Sequence, residues 1–254
     1  MIRLPLLDDT RPDRFPDPRR ALAEPNGLLA FGGDLSPQRL KAAYSRGIFP
    51  WFNAGEPILW WSPDPRCVFD TRTLRPNRSL RRALADTSWR VTVDRAFRDV
   101  MLACAAPRPG QAGTWISEAM IDAYVALHDM HHAHSVEVWD GQRLVGGIYG
   151  VSIGRLFCGE SMFSARSGGS KLALCALAVW LREWDCPWID AQVSNPHLIG
   201  LGAKEMPRNE FLQNIHSLTS APFDQGRWGT IPETPAIQLL NSDPMDGSDE
   251  ARVS

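Results

Sequence analysis

The spacing of apolar and polar positions changes several times along the chain, and each change marks an element. Ser36 is a good N-cap, Pro37 suits the first helical position and Gly47 supplies a stop, so the apolar pattern from Gln38 predicts a helix over 37–46. A second helix opens near Arg78. Trp89 to Val93 reads as a strand, Asp94 as an N-cap, Ala96 to Cys104 as a helix, and Ser117 caps another from Glu118 to about His131. From Ser135 the period drops towards two. Ser135–Asp140, Arg143–Ile153 and Arg155–Phe163, parted by turns at Asp140-Gly141 and Gly154, predict a three-stranded antiparallel meander. Ser167-Gly168-Gly169-Ser170 follows, then a helix from about Ser170 to Trp184 that is apolar nearly all round and therefore buried, then a strand at Trp188–Gln192. Asn195-Pro196-His197 leads into a short helix ending near Gly202, and Pro207 opens another to about Leu218. Beyond Ser220 the chain is rich in Pro, Ser and Asp with little periodicity. Residues 221–254 are therefore expected to form a mostly irregular tail, disordered over its last dozen residues.

Alternation along 188–194 predicts Ile189, Ala191 and Val193 on one strand face and Asp190, Gln192 and Ser194 on the other. Asp190 and Gln192 then stand about 7 Å apart, pointing the same way. The same rule puts Cys158, Glu160 and Met162 on one face of the preceding strand, and Phe157, Ser161 and Phe163 on its reverse. If the two strands are neighbours, two carboxylates and a carboxamide converge; the alternation also fits a merely solvated sheet face.

With 254 residues the chain can bury a large core as one domain or two, and no apolar run reaches the ~20 residues of a membrane span. Pro5, Pro12, Pro16 and Pro18, with charges between them, argue against a signal peptide at the start. Five cysteines without a Cys-x-x-Cys pair argue against a disulfide framework and against a zinc site, and suit a reducing cytoplasm. The net charge of -2 conceals a basic first part and an acidic remainder. The excess lies in Arg66–Arg108, where every basic residue is Arg. Guanidinium forks suit phosphate, and Arg78, Arg81 and Arg82 share a helix face, although a solvated charged face accounts for them too.

Trp60 and Trp61 suit the core, whereas Trp51, after a proline in a loop-like setting, is the better ligand contact. His128, His131, His132 and His134 have metal-like spacing. Beyond Asp129 no nearby Cys, Asp or Glu completes a site, so they are read as a solvated helix end and strand start, and no metal is expected.

Meander, Gly-rich loop, buried helix and strand follow the order of an N-acetyltransferase-like (GNAT) core. Coenzyme A users of that fold commonly read Arg/Gln-x-x-Gly-x-Gly/Ala in the loop; here Lys171 stands where Gly or Ala is wanted.

Eight motifs in order carry a more specific resemblance: Glu24–Ala30, Gly32–Pro37, Arg46–Phe52, Trp60–Arg66, Gly113–Ile116, His134–Trp139, Phe157–Ser164 and Ile189–Gln192. Together they resemble the leucyl/phenylalanyl-tRNA–protein transferase family from about residue 2 to 219. The resemblance implies an α/β (α+β) chain, with a small N-terminal α/β domain over 1–65 and an acetyltransferase-like catalytic domain over 66–220 that includes an Arg-rich tRNA-binding region. It implies no cofactor and a cytoplasmic location; no membrane partner and a monomer are expected besides. It further implies transfer of Leu or Phe, and Met to a lesser extent, from Leu-tRNA or Phe-tRNA to the α-amino group of proteins beginning with Arg or Lys, marking them for degradation. Asp190 and Gln192 match the family's catalytic pair and Glu160 its second acidic residue. Trp51 and Trp115 match its aminoacyl-adenosine contacts. Phe157 and Met162 would line its amino-acid pocket, with Ile148 and Leu181 at two places where larger pocket residues are expected. A coenzyme A-dependent N-acetyltransferase and a non-catalytic RNA-binding module are the alternatives.

The chemistry asks little of the protein. An α-amine has a reference pKa of about 7.7 to 8.0, so an appreciable fraction is neutral already, and the donor is an activated ester. Gln192 can align the amine or donate to the oxyanion, Asp190 can orient Gln192 or accept a proton, and no Cys or Ser has an evident His partner for covalent catalysis.

Overall fold

The computed structural model describes residues 4–107 and 114–240. Ser36 begins α1 (Pro37–Tyr44) as expected, its hydroxyl accepting the Arg39 N–H. The helix stops three residues before Gly47, whose φ of +72° turns the chain into the next strand. Around α1 lie β1 (Leu6–Leu7), β2 (Leu28–Gly32), β3 (Phe49–Pro50) and β4 (Leu59–Trp61), in the sheet order β1-β2-β4-β3. Trp60 is fully buried and donates its indole N–H to the Gly32 carbonyl at 2.9 Å, which secures this small sheet from inside.

The second sheet has eight strands. In chain order they are β5 (Arg66–Asp70), β6 (Arg90–Val93), β7 (Ala133–Asp140), β8 (Arg143–Ile153), β9 (Leu156–Ser164), β10 (Trp188–Gln192), β11 (Lys204–Met206) and β12 (Thr234–Pro235). Their spatial order is β11-β5-β10-β9-β8-β7-β6-β12. The meander is β7-β8-β9, and β10 pairs parallel to β9 and antiparallel to β5. One face is covered by α1, α3 (Phe97–Ala105), α4 (Glu118–Asp129) and α7 (Arg208–Ser220). The other is covered by α5 (Gly169–Glu183), which is buried nearly throughout as its apolar circumference requires, with α2 (Arg78–Leu84) and α8 (Ala236–Leu240) outside it. α6 (Pro196–Gly200) leads from β10 to β11, capped by the Asn195 side chain.

The C-terminal segment differs from its expectation. Residues 225–230 form a 3-10 turn, β12 extends the sheet beside β6, and Trp228, Ala236, Leu239 and Leu240 are buried. Widely spaced apolar residues anchor this segment by tertiary contacts, which leave no periodic signature. The expectation of disorder concerns residues outside those described.

The Gly-rich loop serves packing. A Cβ on Gly169 would lie 2.5 Å from the Val145 carbonyl oxygen, and the Ser170 N–H is taken by Ser164 Oγ at 2.8 Å. The start of α5 is thus pressed against β8, not left open to an anionic ligand. Among the described residues, no helix is long and apolar enough to cross a membrane.

Candidate active site

Glu160 owes its position to an extra residue. Tyr149 pairs with Ser161 and Gly150 with Gly159, so Glu160 is left as a β-bulge between them. A Cβ on Gly150 would come within 2.2 Å of the Cys158 carbonyl oxygen, so only glycine fits opposite. The bulge overturns the expected alternation. Phe157 and Met162 now pack on the α5 face, whereas Cys158 and Phe163 join the core beneath α3 and α4.

The Glu160 carboxylate collects three donors. Tyr44 Oη stands 2.7 Å from Oε1, Gln192 Nε2 2.6 Å from Oε1, and Tyr124 Oη 3.1 Å from Oε2; the two tyrosine hydroxyls also touch each other. Burial pushes the carboxyl up to about 7 although all three donors favour its ionised form. Neither tyrosine was singled out in the sequence. Tyr124 could have been, because it shares with Met120, Ile121 and Leu127 the buried face of α4, and a buried hydroxyl needs a partner.

A second bulge lies in β10, where Asp190 pairs with Val68 and Gln192 with Cys67, leaving Ala191 unpaired. Gln192 takes a φ of +64°, and its N–H donates to Asp190 Oδ1 at 3.0 Å. That bond helps hold a backbone conformation which side-chain-bearing residues adopt at a cost. Asp190 itself does not face solvent. It is completely buried, gripped at two points by Arg66, with Nε to Oδ1 at 2.8 Å and Nη2 to Oδ2 at 2.6 Å. Arg66 also donates to the Gly47 carbonyl at 2.9 Å and lies between the rings of Phe49 and Phe211. Asp190 and Gln192 therefore do not stand side by side before a reacting group as plain alternation predicts, and the alternative of a merely solvated face fails too, because helices cover both faces of the sheet. By sequence Arg66 belongs with the phosphate-suited arginines of 66–108; its place at the head of the apolar run Cys67-Val68-Phe69 is the available sign of burial.

Two neighbouring cavities, sharing Glu160, Ala191 and Leu198 in their walls, adjoin these groups. The larger, about 400 Å³, is bordered by Trp51, Trp115, Glu160, Gln192, Asn195 and their neighbours, with Trp51 44% exposed. The smaller, about 80 Å³, is lined by Phe69, Ile148, Met162, Leu174, Ile189 and Leu198 beside Glu160. At roughly 10–15 Å³ per water-sized group it accepts a handful of carbon-sized groups. Phe157 and Leu181 are buried in the adjoining core but are not among its lining residues. Cys158 is no candidate nucleophile, since burial and then Asp190 push its thiol well above the usual range. Arg78 and Arg82 are exposed on α2, whereas Arg81 is half-buried and donates to the Pro76 carbonyl at 3.1 Å.

The family model for leucyl/phenylalanyl-tRNA protein transferase matches residues 68–216, and that for the transferase N-terminal domain matches residues 33–64. The leucyl/phenylalanyl-tRNA–protein transferase of Xanthomonas axonopodis pv. citri is 56% identical, with 93% of this chain and 96% of that protein aligned. The Shewanella baltica transferase is 52% identical over 86% of this chain and 92% of its own length. Among solved structures, L-PGS from Bacillus licheniformis aligns with a TM-score of 0.36 at 10% identity, covering 78% of this chain and 67% of that one.

Proposed function

The chain belongs to the leucyl/phenylalanyl-tRNA–protein transferase family, and we propose that it moves Leu or Phe, and Met less well, from aminoacyl-tRNA to the α-amino group of proteins beginning with Arg or Lys. The observation that carries this reading is an apolar cavity beside Glu160 that shares Glu160, Ala191 and Leu198 with a cleft bordered by Trp51 and Trp115. The cavity suits an apolar aminoacyl side chain, and the two indoles suit the terminal adenosine. Ile148 and Met162 form part of the cavity wall; Phe157 and Leu181 belong to the same hydrophobic core without lining it. The order of meander, buried helix and parallel strand supports an acetyltransferase-like catalytic core over 66–220, following a smaller domain that ends near residue 65. All five cysteines are free, which suits a reducing cytoplasm.

In the reaction the acceptor nitrogen attacks the ester carbonyl, forming the C–N bond. The C–O bond to the terminal ribose then breaks, the ribose oxygen takes a proton, and the nitrogen loses one. Gln192 gives an N–H to Glu160, which leaves its carboxamide oxygen to accept from the attacking amine and align it. Glu160, with its carboxyl near 7, is matched to receiving the displaced proton at neutral pH. Asp190 acts through Gln192: anchored by Arg66, it fixes the backbone that presents the carboxamide.

The test supplies Leu-tRNA charged with labelled Leu and an acceptor protein with N-terminal Arg. Label should enter that protein and not a matched one with N-terminal Ala. Transfer to both equally would overturn the acceptor assignment, and transfer to neither would overturn the site.

A further inference from the structure

The motif His134–Trp139 took no part in the site above, yet its first residue lies in a second cluster of ionisable groups. His134 is 1% exposed and stacks on Trp228 with ring centroids 4.2 Å apart. Its Nδ1 is 2.7 Å from Asp94 Oδ2, and its Nε2 is 3.2 Å from the His131 carbonyl. His128, in the last turn of α4, brings Nδ1 to 3.8 Å from Asp94 Oδ1. One potential ligand atom from each of the three residues lies within 4.8 Å of the others. The histidines lacked a completing group in the sequence because Asp94 is distant along the chain; pairing of Val93 with Val136 brings it alongside.

The separation between His128 and Asp94 is too long for a hydrogen bond. It is close to what a shared ion needs, since ligands bonded at ~2.0–2.1 Å around a tetrahedral centre stand roughly 3.3 Å apart, between the two observed separations. Outer partners are also in place. The Ser135 N–H orients Asp94 Oδ1 at 2.9 Å, and the His131 carbonyl engages the second ring nitrogen of His134, whereas His128 Nδ1 lies 2.9 Å from the Ala133 carbonyl, a contact it must give up to reach an ion. Asp94 and His128 are 21% and 24% exposed, and the cluster borders a cavity of about 460 Å³ that gives an ion a way in. Two polar atoms of the cavity wall, Gln225 Oε1 and Trp228 Nε1, are buried without a partner. Water completing a metal's coordination could satisfy such groups.

We propose that Asp94, His128 and His134 bind one divalent transition-metal ion of the zinc class. Two imidazoles and one carboxylate favour such an ion over magnesium or calcium, which take oxygen donors. The ion replaces the proton linking His134 to Asp94 and draws His128 across from the Ala133 carbonyl. It ties the end of α4 to the β6–α3 turn and the start of β7. Tyr124 lies one turn earlier on α4, so the same tie steadies a donor to Glu160.

The test titrates Zn(II) alone into the full-length chain after stripping with a chelator, by calorimetry, in parallel with His128→Gln and Asp94→Asn. The wild-type chain should take up one equivalent and gain thermal stability. Both variants should bind at least about tenfold more weakly and gain little. Absence of saturable binding in the wild type overturns the proposal, and so does equal binding by wild type and His128→Gln, which would indicate other histidines. Circular dichroism without metal establishes that each variant is folded. If Asp94→Asn is not, wild type and His128→Gln decide the matter.

Discussion

Arg66 and Asp190 meet as a two-point ion pair with side chains 1% and 0% exposed, and the acid in turn holds the Gln192 N–H. Removing one partner leaves a buried charge uncompensated, which typically costs about 3–5 kcal/mol. Arg66→Ala should therefore lower the melting temperature by roughly 6 °C or more, at about 2–4 °C per kcal/mol for a chain of this size, and lower transfer as well. Gln192→Ala should reduce kcat by on the order of ten- to a thousandfold with little thermal effect. Thermal melts beside single-turnover kinetics separate the two; a melting loss as large for Gln192→Ala as for Arg66→Ala would contradict the division of labour.

Glu160 sets the pH profile. Its carboxyl is raised to about 7 from an ordinary 4.5, so transfer should climb as pH rises through 7 and the base loses its proton. Glu160→Gln should remove this limb. An unchanged limb in that variant would assign it to the acceptor amine.

Stability should run the opposite way. Glu137, between Thr92 and Ser135, is also raised to about 7 by burial, so from about 4.5 to 7 the folded chain holds more protons than the unfolded one. Stability from this group is therefore greatest at or below 4.5 and is lost as pH rises through 7. Denaturant melts at pH 5.5 and 7.5 should show a smaller fall for Glu137→Gln than for wild type.

The apolar cavity should discriminate by shape. Fit alone is worth about 1–3 kcal/mol, so Ile and Val should be transferred roughly ten- to two-hundredfold less efficiently than Leu. Met162→Ala enlarges the cavity and should raise the Phe:Leu ratio in competition between the two charged tRNAs. An unchanged ratio would exclude Met162 from the contact.

Arg78 and Arg82, exposed on α2, should hold tRNA through phosphates. Replacing either by Ala should weaken different tRNAs alike and reduce the salt slope by roughly one unit or somewhat less, leaving transfer from an aminoacyl-adenosine unchanged. Arg81→Ala should also loosen the turn at Pro76, so its melting temperature should fall, unlike that of Arg82→Ala.

Local information reaches a few residues, and what it encodes was legible in the chain. Ser36 and Pro37 start α1, the turns at Asp140-Gly141 and Gly154 bound the meander, and the apolar circumference of α5 requires burial on every side. The ordered motifs carried the family, because many short matches in one order are specific even when each alone is weak. The site's geometry needed the folded chain. A bulge at Glu160 or Ala191 inserts one residue into a period of two, and whether it forms depends on register with partner strands, not on the bulged residue. Buried polar groups likewise choose partners across the fold. Arg66 looked like a phosphate ligand until burial beside Asp190 made neutralising that charge its stronger constraint, and Asp94 met His128 and His134 only through the pairing of β6 with β7.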